Sequence, residues 1–449
     1  MSRLFGTDGV RGIANSELTP ELAYKLGKAG AYVLSAEKER PVILIGKDTR
    51  ISGDMLEDVL SAGILAMGGN VIKTGVLPTP AVAYLVRHYK ADAGIVISAS
   101  HNLFEYNGIK FFNGDGFKLD DEIEDKIEDI IMRDIDVSSH ITGDKLGRCF
   151  IADEAAFNEY AEFLKSSVDV DITGMKIVLD CANGAAYKIA GKVFADLGAD
   201  VTVIANEPDG LNINFMCGST HPEALKEKVL SQKADVGLAF DGDADRLIAV
   251  DELGRIIDGD KMLCICAKML KDAGELAGNK ITATVMSNLG FHKEVEAMGA
   301  TVDITAVGDR YVLESMLKTG CVIGGEQSGH IIFLNRSTTG DGILSALQLV
   351  KAIKLSGEKP SALSDRIKIY PQVLVNAQVK NENKKKYIKD KEIAKEIEEV
   401  EKLMSGDGRV LIRPSGTEPL VRVMIEGKDH HIIKGLAEKL AGLLTKKFG

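Results

Sequence analysis

The chain has 449 residues, 45% hydrophobic and 27% charged, the balance of an ordinary globular protein too long for one core and divided into roughly two to four domains. A net charge of -11 argues against a nucleic-acid or anionic-membrane surface as the main partner, yet leaves room for a local basic pocket that takes an anionic small molecule. No run reaches the roughly 18 apolar residues of a membrane helix, and the opening MSRLFG is not a signal peptide. Six scattered cysteines (Cys149, Cys181, Cys217, Cys264, Cys266, Cys321) form no CxxC and read as core thiols in a reducing cytoplasm.

The first clear unit is PVILIGKD (41–48), a continuous apolar run, then helical spacing through Met55, Val59 and Leu65, then AMGGNVI, where glycine ends the helix and a strand begins. The acidic stretch Asp120 to Asp129 and the loop-like Asp136 to Gly147 follow late in the same domain. KIVLD (176–180), a helix through Ile189 to Leu197 and LGADVTVI repeat the first pattern. KITATVMSN (280–288), a helix through Val295 and AMGATVDI repeat it again. Apolar strands that do not alternate indicate sheets covered on both faces. The expectation is three related doubly wound α/β domains, at 1–150, 151–255 and 256–368.

The tail is different. VLVNAQV (373–379) alternates like a half-buried strand, the charged KNENKKKYIKDKE follows, then a helix through Ile393 to Leu403, two strands (RVLIRP and LVRVMIEG) and an amphipathic helix. Strands adjacent in sequence predict a small C-terminal α+β domain at 369–449.

Four loops carry chemistry. In DAGIVISASHNLFEYNGIKFF (92–112) an apolar strand ends in a polar knot, where Ser100 is a candidate nucleophile and His101 and Lys110 are nearby acid–base groups. Chain neighbours rarely face each other, which counts against His101 as the base for Ser100. A Ser/Asn-rich turn is the plainer reading.

In VGLAFDGDADRLIAV (236–250), Asp241, Asp243 and Asp245 project from one tight loop, and a divalent cation removes their mutual repulsion. A calcium EF-hand fails, because Arg246 stands at the sixth position where that loop requires glycine. An aspartyl-phosphate phosphatase, with Asp241 attacking and Asp243 as acid, is open on this loop alone, as is a solvated acidic turn. GGEQSGHIIF (324–333) combines a flexible glycine-rich backbone with Glu326, Ser328 and His330, donors and acceptors suited to sugar hydroxyls. In RPSGTEPLVRV (413–423), Arg413 and Arg422 bracket Ser415, Gly416 and Thr417, a phosphate cradle without the glycine spacing or lysine of a P-loop. Asp260 and Asp341 read as helix caps, and Arg87 and His88 as a solvated helix face.

These loops, in this order and spacing, resemble the α-D-phosphohexomutase family over essentially the whole chain. RLFGTDGVRGIAN (3–15) and Gln327 within GEQSGH point, inside that family, to members acting on glucosamine phosphate, with glucose or mannose phosphate as the alternatives. The resemblance implies four domains around a central cleft, one loop from each. It implies a phosphoserine at Ser100, with Lys110 and Arg246 beside the reacting phosphate. Asp241, Asp243 and Asp245, completed by a phosphoserine oxygen, match the ligands of one magnesium ion per subunit. Glu326, Ser328 and His330 match the sugar loop; Arg413, Ser415, Gly416, Thr417 and Arg422 match the grip on the non-reacting phosphate, and Arg11 another active-site arginine. A sugar 1,6-bisphosphate is the implied intermediate and activator, a sugar phosphate the partner, the cytoplasm the location, and a homodimer is what relatives suggest. Leu103 stands where the family commonly has proline, which leaves the serine loop less rigid. A non-catalytic sugar-phosphate sensor would share the binding loops but has no need of a phosphorylatable Ser100.

Overall fold

The structure, a computed structural model, describes residues 3–6, 8–34, 38, 40–137, 141–415 and 418–449. It forms two compact units: residues up to Met286 with Gly299–Arg366, and Ser287–Met298 with Ile367–Gly449.

The larger unit holds three sheets. The first contains β1 (Val10–Ile13), β2 (Val42–Lys47), β3 (Asn70–Val76), β4 (Ala93–Ile97), β5 (Tyr106–Asn113) and β6 (Cys149–Ile151), in the order β1-β5-β4-β2-β3-β6. The second contains β7 (Lys176–Asp180), β8 (Asp200–Ile204), β9 (Val236–Phe240), β10 (Leu247–Asp251) and β11 (Ile256–Ile257), in the order β11-β10-β9-β7-β8. The third contains β12 (Lys280–Thr284), β13 (Thr301–Thr305), β14 (Ile323–Gly325) and β15 (Ile331–Phe333), in the order β13-β12-β14-β15.

The repeat seen in the sequence is a repeat of topology. In each sheet two parallel strands joined by a helix accept a third parallel strand on the other side, and the chain then returns antiparallel along that third strand. A parallel crossover needs a helix, whereas an antiparallel return needs only a short loop. The sheets are therefore mixed, with a parallel core. β4 and β9 are buried at every residue, as their unbroken apolar sequences require. The first core gathers Ile43, Ile45, Leu56, Leu60, Ile95, Ile97 and Phe111 between that sheet and its helices.

In the smaller unit β16 (Gln372–Gln378), β17 (Gly408–Pro414) and β18 (Leu420–Gly427) pair antiparallel in the order β16-β18-β17. Helices Lys391–Leu403 and His430–Phe448 bury Ile393, Val400, Ile433, Leu440 and Leu444 against Val421, Val423 and Ile425. Asp390 and Asp429 cap these helices. Helix Leu289–Ala297, capped by Asn288, belongs to this unit: the Asn288 side chain donates to the Tyr370 carbonyl and to Glu426. The charged 380–392 stretch lies inside this unit as two short 3₁₀ turns and the start of a helix.

Two expectations need correction. Asp341 caps helix Gly342–Ser356, but helix Gly259–Asp272 is capped by Asp258; Asp260 lies inside its first turn. Five cysteines are buried, but Cys149 is exposed, because β6 is a short edge strand. Arg87 and His88 are exposed on their helix, as read.

Candidate active site

In the larger unit each loop of interest joins the third parallel strand of its sheet to the antiparallel return: 98–105 between β4 and β5, 241–246 between β9 and β10, and 326–330 between β14 and β15. Each loop carries a left-handed residue, Ser100 (φ +51), Ala244 (φ +54) and Gly329 (φ +92). A serine or alanine held there is strained, and such strain gathers at functional sites. At Gly329 a side chain is impossible, since a Cβ would meet the Leu247 carbonyl oxygen at 1.9 Å. That close approach seats the third loop on the second: Leu247 N–H donates to the Gly329 carbonyl at 3.1 Å, and Arg246 and His330 form a β-bridge.

Ser100 is 1% exposed, and its hydroxyl donates to Asp241 Oδ2 at 2.6 Å. His101 Nδ1 lies 3.4 Å from Ser100 Oγ and 3.0 Å from Arg246 Nη1, so the neighbour that chain direction counted against does reach the serine. Burial, with Arg246 and Arg11 nearby, lowers the His101 pKa and so favours the uncharged ring.

Asp241, Asp243 and Asp245 are buried, and one carboxylate oxygen from each lies within 4.8 Å of the others. Burial and the repulsion of Asp245 and Asp243 push Asp241 well above the ordinary carboxylate range. Against the cost of its own burial, Lys110 holds Asp243 below that range. Lys110 Nζ sits 2.8 Å from Asp243 and 2.9 Å from Asp8. Burial favours the neutral amine, but these two carboxylates offset it and raise Lys110 above an ordinary lysine.

Asp8 also pairs with Arg11 and Lys118, and Lys118 reaches on to Asp309. Asp309 in turn lies 3.7 Å from His330 Nε2. His330 is 2% exposed and both ring nitrogens lack a hydrogen-bond partner among the described residues. Glu326 accepts from the Gly308 N–H at 3.2 Å, and Ser328 is exposed. Ser100, His101, Lys110, Arg11, the three aspartates, Arg246 and His330 are thus linked through one contact network, with Glu326 and Ser328 on the loop seated against it.

The fourth loop belongs to the smaller unit. Arg413 and Arg422 are register partners across β17 and β18, and like charges placed opposite each other in a sheet repel. Burial and Arg422 lower the Arg413 pKa. Ser415 Oγ accepts from the Glu418 N–H at 3.1 Å, and Lys384, from the charged stretch, donates to the Ser415 carbonyl at 2.8 Å. Gly416 and Thr417 lie outside the described residues.

Several residues escaped the sequence reading. Asp48, Arg50, Ser98 and Asn214 grip the serine loop, Thr79 donates to Asp243 at 2.7 Å, and Asp8 and Lys118 hold Lys110 and Asp309. One signal was available: GKDTR (46–50), like the other loops, is a polar cluster at the end of an apolar strand.

Profiles of the phosphoglucomutase/phosphomannomutase α/β/α domains I, II and III match residues 2–137, 158–254 and 258–370, and the profile of the C-terminal domain matches 374–443. The chain is 57% identical over 447 residues to a phosphoglucosamine mutase of Clostridium acetobutylicum, covering 100% of both chains. It belongs to this phosphohexomutase family. A phosphoglucosamine mutase of Thermoanaerobacter sp. is also 57% identical, over 448 residues and 100% of both chains. Among solved structures, a Burkholderia thailandensis phosphoglucomutase/phosphomannomutase family protein shares the fold at TM-score 0.82 and 22% identity, covering 100% of this chain and 99% of that one. Aspergillus fumigatus N-acetylphosphoglucosamine mutase, solved with GlcNAc-6P and magnesium, shares it at TM-score 0.68 and 18% identity, covering 99% and 96%.

The acidic triad suits a divalent cation. Asp243 Oδ1 and Asp245 Oδ1 are buried without hydrogen-bond partners among the described residues, and such orphaned anionic oxygens are costly unless a cation meets them. Among the described residues, no helix is long and apolar enough to cross a membrane.

Proposed function

We propose that the chain is a phosphoglucosamine mutase, which interconverts glucosamine 6-phosphate and glucosamine 1-phosphate through phospho-Ser100 and glucosamine 1,6-bisphosphate. The observation that carries this reading is the buried Ser100 hydroxyl 2.6 Å from Asp241, beside Lys110 on Asp243. A phosphatase with Asp241 as nucleophile is disfavoured, because it leaves the buried Ser100 and the second phosphate grip at Arg413 and Arg422 without a use.

In the first step the free sugar hydroxyl attacks the phosphorus of phospho-Ser100. The new O–P bond forms as the bond to Ser100 Oγ breaks, and the proton lost by the hydroxyl balances the one gained by the serine. His101 Nδ1, 3.4 Å from Oγ, is the acid–base group we assign to that proton, released for it when Arg246 turns to the transferring phosphoryl. The bisphosphate then turns end for end, and its other phosphoryl returns to Ser100 by the same exchange. Phosphoryl transfer demands positioning and charge neutralisation more than covalent chemistry. Lys110 and Arg246 supply cationic charge at the transferring group, and Arg11 contributes beside them.

Asp241, Asp243 and Asp245, with an oxygen of phospho-Ser100, would hold one magnesium ion per subunit, which when bound neutralises charge on the transferring phosphoryl. Glu326, Ser328 and His330 take the sugar hydroxyls. Arg413, Ser415, Gly416, Thr417 and Arg422 hold the non-reacting phosphate.

The functional division we propose is 1–150 with the serine loop, 151–255 with the metal loop, 256–368 with the sugar loop and 369–449 with the phosphate grip. The enzyme works in the cytoplasm as a homodimer, supplying glucosamine 1-phosphate for cell-wall aminosugars. The preference for glucosamine over glucose or mannose phosphate is supported by the full-length 57% identity to phosphoglucosamine mutases. The test is turnover of glucosamine 6-phosphate, glucose 6-phosphate and mannose 6-phosphate side by side, with inorganic phosphate measured in parallel. Preferential conversion of the amino sugar without net phosphate release supports the reading; dominant phosphate release overturns it.

A further inference from the structure

Two side chains that the transfer step leaves idle close on the backbone of the serine loop. Arg50 follows β2 at the end of GKDTR, and its side chain has no exposed surface. Its Nη2 donates to the Ser100 carbonyl at 3.0 Å and to the Asn102 carbonyl at 2.6 Å, and its Nε donates to the Tyr106 carbonyl at 2.8 Å. Asn214 comes from the loop after β8 and is 2% exposed. Its Nδ2 donates to the same two carbonyls, Ser100 at 2.9 Å and Asn102 at 2.8 Å. The Ser100 N–H is held as well, by Ser98 Oγ at 2.9 Å, and Ser98 is itself anchored to Asp48 at 2.5 Å.

Among the described residues, the clamp's hydrogen bonds reach neither the serine hydroxyl nor the metal-loop carboxylates. Arg50 Nη1 pairs with Asp48 at 2.6 Å, so its charge is cancelled on the spot and its contribution is geometric. What it holds is a serine in the left-handed region, which a free loop would leave. The fit is close: a Cβ at Gly242 would lie 2.5 Å from the Ser100 carbonyl oxygen and 2.7 Å from Asn214 Nδ2. Leu103, without the rigidity of a proline, makes an external hold on this loop more necessary.

We infer that Arg50 and Asn214 are positioning residues that set where Ser100 Oγ stands relative to Asp241, and so keep each phosphoryl transfer directed to the sugar rather than to water. This inference rests on the mutase reading. Ser100 must give up and regain a phosphoryl in one place within each cycle, and a misplacement near 1 Å costs on the order of 10²-fold in rate. The guanidinium fork reaches several carbonyls at fixed angles, which a lysine ammonium does not reproduce. Asn214→Asp keeps the shape and removes the donors.

The experiment compares full-length wild type with Arg50→Lys, Asn214→Ala and Asn214→Asp in steady-state turnover, inorganic phosphate release and amide hydrogen exchange over residues 98–107. The expected result is kcat lower by about 10- to 100-fold with KM nearly unchanged. The share of turnovers ending in inorganic phosphate rises, and exchange in the serine loop is faster in protein that remains folded. Should Arg50→Lys fail to fold, the two Asn214 variants decide. Folded Asn214 variants that keep kcat within about twofold, or that lose it with no rise in phosphate release, overturn the inference while the mutase reading stands. A wild-type enzyme that transfers no phosphoryl group to the sugar overturns both.

Discussion

The aspartates of the β9–β10 loop and the arginines of the β17–β18 hairpin pose one physical problem with opposite signs. Each brings like charges together that only a counter-ion relieves. The solutions differ. Asp241, Asp243 and Asp245 are 1–4% exposed and already tied to Ser100, Lys110, Thr79 and the Arg246 backbone. Arg422 is 41% exposed, and its one described ion pair is with the solvent-facing Glu418 at 3.4 Å. A site that is buried and cross-linked before its ligand arrives pays its ordering cost during folding; a half-buried pair with few fixed partners meets that cost at binding. The difference matches the division of labour proposed for them. In that proposal the buried cluster serves the transition state, where small displacements matter most, and the half-buried arginine pair serves binding of a group that does not react.

The sharpest way to break this contrast is at the serine itself. Ser100→Ala should abolish transfer, by about 10⁴-fold or more, while circular dichroism and cation binding to the triad persist. A variant that turned over would remove the buried cluster from the chemistry. Next, Asp243→Asn leaves Lys110 without its closest carboxylate and the triad with two charges. Transfer should fall by about 10²- to 10³-fold, with weaker divalent-cation affinity by calorimetry, and unchanged affinity would show that the ion sits elsewhere.

Arg422→Ala should act in the other currency, raising KM by about 10- to 30-fold for the loss of a charge-assisted contact while kcat changes little. Because it also relieves the opposed arginines, melting temperature should hold or rise slightly, by the equivalent of about 0.2–1 kcal/mol; a large fall in kcat would put this hairpin with the catalytic cluster.

The last effect leaves activity aside and concerns a buried carboxylate that has no ion pair among the described residues. Burial raises Asp341 to about 6. A folded pKa above the unfolded value of about 3.9 means that the group stabilises the fold relative to high pH only while protonated. Its contribution is present below about pH 4 and is lost as pH rises through about 6, by up to roughly 3 kcal/mol. The melting temperature of Asp341→Asn relative to wild type should therefore climb between pH 4.5 and 7. A constant difference would contradict the assignment.

Much of this was legible in the sequence, because strand–helix–strand units announce themselves through unbroken apolar runs and glycine stops, as at PVILIGKD and KITAT. The three aspartates were legible because carboxylates at alternate positions have few uses besides a cation. Asn214 and Thr79 were not legible. Their roles arise where the tips of separate sheets meet, and nothing local distinguishes Asn214 from any polar loop residue. His101 is hard to value from sequence because chain neighbours ordinarily diverge, and here a left-handed Ser100 redirects the backbone. Asp260 was mistaken for a cap because two aspartates, two residues apart, precede one helix, and only backbone geometry selects Asp258.

The most direct test of the central claim is peptide mass spectrometry of the purified protein in magnesium, before and after separate incubations with glucosamine 6-phosphate and with glucosamine 1,6-bisphosphate. The account predicts one phosphoryl group on Ser100 that is lost to glucosamine phosphate and regained from the bisphosphate. Phosphate found on Asp241, or on no residue during turnover, would contradict it.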